Sequence, residues 1–199
     1  AITWSENFDL NHALDRVISI TDSANATTVY TYDANSNLTS VTDALQQRWQ
    51  WAHDDKNRII SSTDPLNRTI QVAYSTDDEV LEVKSALNRI VRYSYDSRGD
   101  VSTVTDSLNN VVRFVYDNSR NLTTFTDQRG HTTTYTYDEL GRLLSKRNPL
   151  GQFTDVTYDA VGNVTAVTDQ LGRRTNITYD ELRRPTQIAY ADALVTVGY

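Results

Sequence analysis

Along most of the chain, apolar and polar residues alternate one for one. Trp49 and Trp51, then Ile70, Val72 and Tyr74, then Val91, Tyr93 and Tyr95, and then Val112, Phe114 and Tyr116 stand two apart. Between them lie polar or small residues: Gln50 and Ala52, Gln71 and Ala73, Arg92 and Ser94, and later Thr134 and Thr136. Period two with one apolar side is the pattern of a half-buried antiparallel strand, and no helical period of 3.6 appears. A shorter return strand follows each of these, at residues 38–42, 101–105, 122–126 and 164–168. Its apolar side chains fall on both parities (Leu38 with Val41, Val101 with Val104), so the pattern leaves open which of its faces is covered.

The alternation is itself periodic. Tyr32, Tyr74, Tyr95, Tyr116, Tyr137, Tyr158 and Tyr179 are spaced by multiples of 21, with His53 in the remaining slot. Asp follows at Asp33, Asp54, Asp96, Asp117, Asp138, Asp159 and Asp180, with Ser75 as the exception. Ten residues on comes a second Asp column: Asp22, Asp43, Asp64, Asp106, Asp127 and Asp169, interrupted by Ser85 and Asn148. Leu45, Leu66, Leu87, Leu108, Leu150 and Leu171 lie two further on, and are expected to plug the hydrophobic rim. A fixed period of this length is the signature of a repeat architecture. Each unit reads as two strands and two turns. Asp opens a turn by accepting backbone N–H groups two residues on, and Gly99, Gly141 and Gly162 supply positive φ near its end.

The prediction is an all-β fold: eight to nine 21-residue antiparallel hairpins in a twisted, spiralling strip, open at both ends. The whole of 1–199 is taken as one array, with a degenerate first repeat over about 1–22, regular repeats over about 23–190 and a shortened last repeat over about 191–199. Phe8-Asp9 is the expected first Tyr-Asp turn entry, three residues too far from Asp22. Asp192 and Tyr199 suggest a last copy with a shorter turn. Neither end carries a polar cap and the chain contains no Met, so a section of a longer protein is expected, with edges able to pair with neighbouring chain or with a second copy.

Composition narrows the function. The 199 residues carry a formal charge of −7, and hydrophobic residues make up 38%. Twelve Tyr, three Trp and four Phe supply burial area that a disordered segment lacks. The basic residues are scattered rather than clustered, which argues against nucleic acid. No apolar run is long enough to cross a bilayer as a helix. With no Cys there are neither disulfides nor thiolate metal sites, a usage that suits a secreted bacterial protein. Of the 19 basic residues 16 are Arg, which suggests a need for planar, multi-donor side chains between strands.

A unit such as Tyr158-Asp-Ala-Val-Gly162-Asn-Val-Thr-Ala-Val-Thr-Asp169-Gln-Leu-Gly172 closely resembles the YD repeat of RHS proteins, and the likeness runs from about Asp9 to Tyr199. The chain departs from it at residues 53, 75, 85 and 148, and Gly is replaced at Asn57, Asp78, Arg120 and Arg183. The resemblance implies a β-ribbon wound into a hollow shell, as in RHS toxins, the B and C components of insecticidal toxin complexes, and teneurins. In bacterial members such a shell holds a C-terminal toxin cargo. The implied partners are the rest of the same polypeptide: further repeats, a core-associated segment and the cargo. The implied location is secreted or cell-surface, on a bacterium. The self-cleaving core-associated segment is not found here, so autoproteolysis does not carry over.

Catalytic chemistry finds no support. His12, His53 and His131 stand at unrelated repeat positions, and His53 reads as a planar filler in a Tyr column. No catalytic residue, cofactor or metal site is expected. The Asp columns, with Asp54-Asp55 and Asp77-Asp78-Glu79, are candidate calcium ligands, but turn capping accounts for them with less. The aromatic column is expected to stack into a ladder between hairpins. The alternative is an adhesin whose exposed rings bind carbohydrate, with Trp49 and Trp51 as the candidate stacking pair. Asn-x-Thr sequons at Asn25, Asn37, Asn67, Asn121, Asn163 and Asn176 read as turn chemistry.

Overall fold

The computed structural model describes residues 7–11, 16–190 and 192–198; His12 and Tyr199 lie outside them. Among the described residues there are nineteen strands and no helix. They divide into two compact units: the described residues up to Tyr93 with Asp106–Leu108, and Ser94–Thr105 with the described residues from Asn109.

The first unit holds β1 (Asn7–Asn11), β2 (Arg16–Thr21), β3 (Thr27–Tyr32), β4 (Leu38–Thr42), β5 (Arg48–His53), β6 (Ile59–Thr63), β7 (Thr69–Tyr74), β8 (Val80–Lys84) and the first four residues of β9 (Ile90–Tyr95). The second holds the end of β9, then β10 (Val101–Thr105), β11 (Val111–Tyr116), β12 (Leu122–Thr126), β13 (Thr132–Tyr137), β14 (Leu143–Arg147), β15 (Phe153–Tyr158), β16 (Val164–Thr168), β17 (Arg174–Tyr179), β18 (Pro185–Ala189) and β19 (Leu194–Thr196). Within each unit every strand pairs antiparallel with the next in sequence, and the sheet stays open. Six residues of strand, five of turn, five of strand and five of turn make up the 21.

The hairpins closed by the Asp33 type of turn contain a bulge that the period does not announce. Thr31 faces Ser40, but Tyr32 faces Leu38, so Thr39 is an extra residue on the return strand. The same shift precedes His53, Tyr74, Tyr116, Tyr137, Tyr158 and Tyr179. A bulge reverses the parity of everything beyond it. Leu38 therefore lies opposite Tyr32 and Val41 opposite Tyr30, on one face although they are three residues apart. That settles the face of the return strand: Val83 meets Val72, Phe125 meets Phe114, Val167 meets Val156 and Ile188 meets Ile177. The opposite face is polar, and small hydroxyls bridge its strands, as between Thr31 and Ser40 (2.7 Å) and between Thr63 and Thr69 (2.8 Å).

Each unit is a single layer of sheet. Among the described residues only Ala166 and Ser40 are buried outright, both on the polar face. The apolar face is half-buried by its own neighbours and has no second layer over it. Leu45, Leu66, Leu87, Leu108, Leu150 and Leu171 plug no rim; each is 69–84% exposed, because position three of a five-residue turn points away from the strands. Phe8 and Asp9 do not enter a turn either: both are inside β1, paired with Ile20 and Ser19. At the far end, Tyr190 takes the Asp slot and its N–H donates to Ala193 O (2.7 Å), closing a turn one residue shorter than the others.

Candidate functional site

The described part of the chain gathers its chemistry in two places, the turns and the apolar face. Fifteen five-residue turns among the described residues follow one backbone plan. In the turn that Asp33 opens, the Ser36 N–H donates to Asp33 O (3.1 Å), and Asp33 N–H donates to Asn37 O (3.0 Å). This is a β-turn followed by a left-handed residue, the usual three-residue hairpin loop. Oδ1 of Asp33 accepts from the backbone N–H of Asn35 and Asn37 (2.9 and 2.8 Å), and Oδ2 accepts from the Asn37 side-chain amide (3.0 Å). Asp117 and Asp159 repeat the plan with Asn121 and Asn163. Asp54, Asp138 and Asp180 replace the amide by the guanidinium of Arg58, Arg142 and Arg184. Asp96 takes the backbone N–H of Arg98 and Asp100, with the Arg98 guanidinium at 3.1 Å.

These carboxylates titrate below the ordinary carboxylate range. The side-chain amides of Asn37 and Asn121 are the main cause at Asp33 and Asp117, and the Arg58 guanidinium at Asp54. Backbone N–H groups come first at Asp96, Asp138 and Asp180. At Asp159 burial pushes the carboxyl up, and the amide and backbone N–H of Asn163, with further turn N–H groups, bring it down past that. The sequon residues Asn37, Asn121 and Asn163 are thus engaged as turn staples. Every turn has a left-handed fourth residue whether or not it is Gly: Asn57, Asp78, Arg120 and Arg183 keep φ of 64°, 69°, 65° and 62°.

The tyrosines do not stack into a ladder. Equivalent rings in successive hairpins are two strands, or about 10 Å, apart, beyond the 4.5–7 Å of a ring pair. The one ring pair among the described residues is Phe114 with Phe125, 5.6 Å apart across a single hairpin. Five of them instead tie their hairpin to the preceding one through the hydroxyl. Tyr32 donates to Val17 O, Tyr74 to Ile59 O, Tyr137 to Leu122 O, Tyr158 to Leu143 O and Tyr179 to Val164 O, at 2.8–3.0 Å. Tyr95 and Tyr116 end β9 and β11 in the same slot; burial, then Asp100 and Asp96, push the Tyr116 hydroxyl pKa up. His53 fills the slot opposite Ile59, with Nδ1 buried and unpartnered, so as a filler it keeps the place without a link of the Tyr kind through that nitrogen.

Arginine fills the gaps between the rings. Arg58 and Arg142 lie 4.5 Å from the Tyr74 and Tyr158 ring centres, and Arg16 lies 5.9 Å from that of Tyr32. Arg58 at once pairs with Asp54, covers Tyr74 and donates to Ser75 O at 3.1 Å. Only a planar, multi-donor cation does all three, which accounts for the preference for Arg over Lys.

Among the described residues no three His, Asp or Glu side chains are placed to hold a metal. A cleft of about 720 Å³ is an open furrow between the turns at Asp64 and Ser85, lined by Ile70, Leu87, Arg68 and Arg89 among others. Trp49 and Trp51 share the apolar face of β5; Trp49 is 37% exposed and lies opposite Val41, and Trp51 is half-buried opposite Ser62.

The model of the family described as teneurin YD-shell matches residues 3–181. No curated protein matches the chain. Among solved structures, a crystal structure of TcdB2-TccC3-Cdc42 aligns over 92% of the chain with a TM-score of 0.64 and 19% identity. One of TcdB2-TccC3 without its hypervariable C-terminal region gives 0.63, with the same coverage and identity. The Photorhabdus luminescens Tc holotoxin pore with a mutated TccC3 gives 0.61 over 93%, at 16% identity. The chain spans only 12–14% of the length of these three chains.

Proposed function

Because the chain belongs to the teneurin YD-shell family, we propose that it is a section of the wall of a closed shell that encloses a polypeptide toxin cargo. The observation that carries this reading is the single-layer sheet. In each unit an apolar face, lined by Val72 and Val83 in the first and by Phe114, Phe125 and Val167 in the second, is half-buried without a second layer among the described residues, and suits a wall that meets something on that side. In this reading the apolar face turns inward to a poorly folded cargo, and the polar face outward.

The remaining features fit the same role. Tyr hydroxyls and turn side chains tie neighbouring hairpins sideways, as a wall requires. The partners are further repeats of the same polypeptide and the cargo, and the setting is a secreted or surface-exposed bacterial toxin assembly. The chain itself carries out no reaction step.

The test is protease protection in the complete polypeptide that carries this chain. The cargo segment should survive trypsin in the intact protein and be digested faster when Tyr137→Ala and Tyr158→Ala cut two lateral ties. Digestion of the cargo in the intact protein as fast as when it stands alone overturns the reading.

A further inference from the structure

We infer that, in the turns opened by Asp54, Ser75, Asp117, Asp138 and Asp159, the left-handed residue is a recognition position, read by the last residue of the preceding turn of the same type, and that their chemical match fixes which hairpin sits beside which. The two residues stand 20 apart in sequence. Asn37 donates its amide to Asn57 Oδ1 at 2.8 Å. Arg58 NH1 donates to Asp78 Oδ1 at 2.6 Å, and Lys56 Nζ joins at 2.9 Å. In the second unit the polarity reverses: Asp100 Oδ2 lies 3.4 Å from Arg120 Nε, and Arg120 NH2 also donates to Arg98 O at 2.6 Å. So there is an amide with an amide, a cation before an anion, and an anion before a cation.

Glycine adopts this conformation without strain, Asn and Asp at little cost, and a longer side chain such as Arg at more. Asn57, Asp78 and Arg120 nevertheless occupy it, and each directs its side chain onto the neighbouring turn. Where the slot is Gly, the neighbour closes over it. A Cβ at Gly141 would lie 3.2 Å from Asn121 Oδ1, and one at Gly162 would lie 3.6 Å from Arg142 NH1.

The other edge provides the control. A Cβ at Gly130 or Gly172 would meet nothing within 4 Å, and one at Gly151 would meet only Arg147 of its own hairpin. The same turn with the same left-handed slot is therefore read by a neighbour on one edge only. This pairing goes beyond a wall in general: it orders the hairpins within it, and it holds whether or not the shell encloses a cargo.

A double-mutant cycle on this chain tests it. Asp100→Arg and Arg120→Asp should each lower the thermal midpoint, and the two together should recover more than half of the loss. The coupling expected is at least about threefold in the unfolding equilibrium constant. Arg98, 3.8 Å from Asp100, is the same in all four proteins and drops out of the cycle. A transplant gives the second reading, and serves alone should Asp100→Arg fail to fold. Gly141→Asp should destabilise by itself, and Asn121→Arg, which copies the Arg58–Asp78 pair, should rescue it. Additive losses in the cycle, or in the transplant a loss from Gly141→Asp that Asn121→Arg does not relieve, overturn the inference.

Discussion

At the scale of the residue, the turn carboxylate does the most for its size. Asp138 satisfies the N–H groups of Leu140 and Arg142 through one oxygen and holds the Arg142 guanidinium through the other. Because Asp33, Asp54, Asp64, Asp96, Asp117, Asp138, Asp169 and Asp180 all have lowered folded pKa values, their contribution is complete above the unfolded value near 3.9. It is lost as the pH falls through the folded values. The melting temperature should therefore be flat from pH 7 to about pH 5 and drop steeply below about pH 4. A melt that is level down to pH 3 would contradict this. The Asp columns were legible in the sequence because the carboxylate acts within five residues of chain, a range that local pattern reports.

At the scale of the element, the hairpin is defined by its bulge and its Tyr. The sequence held a trace of the bulge: Leu38 and Val41 fall on opposite parities, which a regular strand would not place on one face. Read without register, that trace left the face undecided; the pairing of Thr31 with Ser40 and Tyr32 with Leu38 resolves it. The Tyr column was visible, but what each hydroxyl reaches was not. The acceptor is a main-chain carbonyl 15 residues back, and carbonyls have no side-chain signature. The expected stacking fails for a reason of distance, since a two-strand step exceeds ring contact. Tyr137→Phe keeps the ring and removes only the bond to Leu122 O, so it should destabilise by about 1 kcal/mol. Chemical denaturation of the two proteins measures it, and an unchanged midpoint would make the tie energetically silent.

At the scale of the whole molecule, stability in a repeat array is a sum of hairpin terms and nearest-neighbour terms. Within the second unit, Tyr137 has whole hairpins on both sides, while Tyr179 lies one hairpin from β19. Tyr137→Ala should therefore cost about 1 kcal/mol more than Tyr179→Ala in equilibrium unfolding. Equal costs would mean that the array does not behave as a linear chain of neighbours. Family and fold were legible early, because eight copies of a 21-residue unit in one phase leave little choice of architecture. The exposed Leu row was misread because an apolar residue near a strand end looks like a plug, and only the turn geometry turns Leu45 and Leu66 outward.

Whether the chain is one section of a closed wall around a polypeptide is seen most directly by electron cryo-microscopy of the complete polypeptide. The expected map is a hollow shell in which residues 16–190 form part of the wall, with Val72, Phe114 and Val167 facing inward onto weak, unordered density. A map in which this stretch stands apart from any enclosed cavity, its apolar face open to solvent, would contradict it.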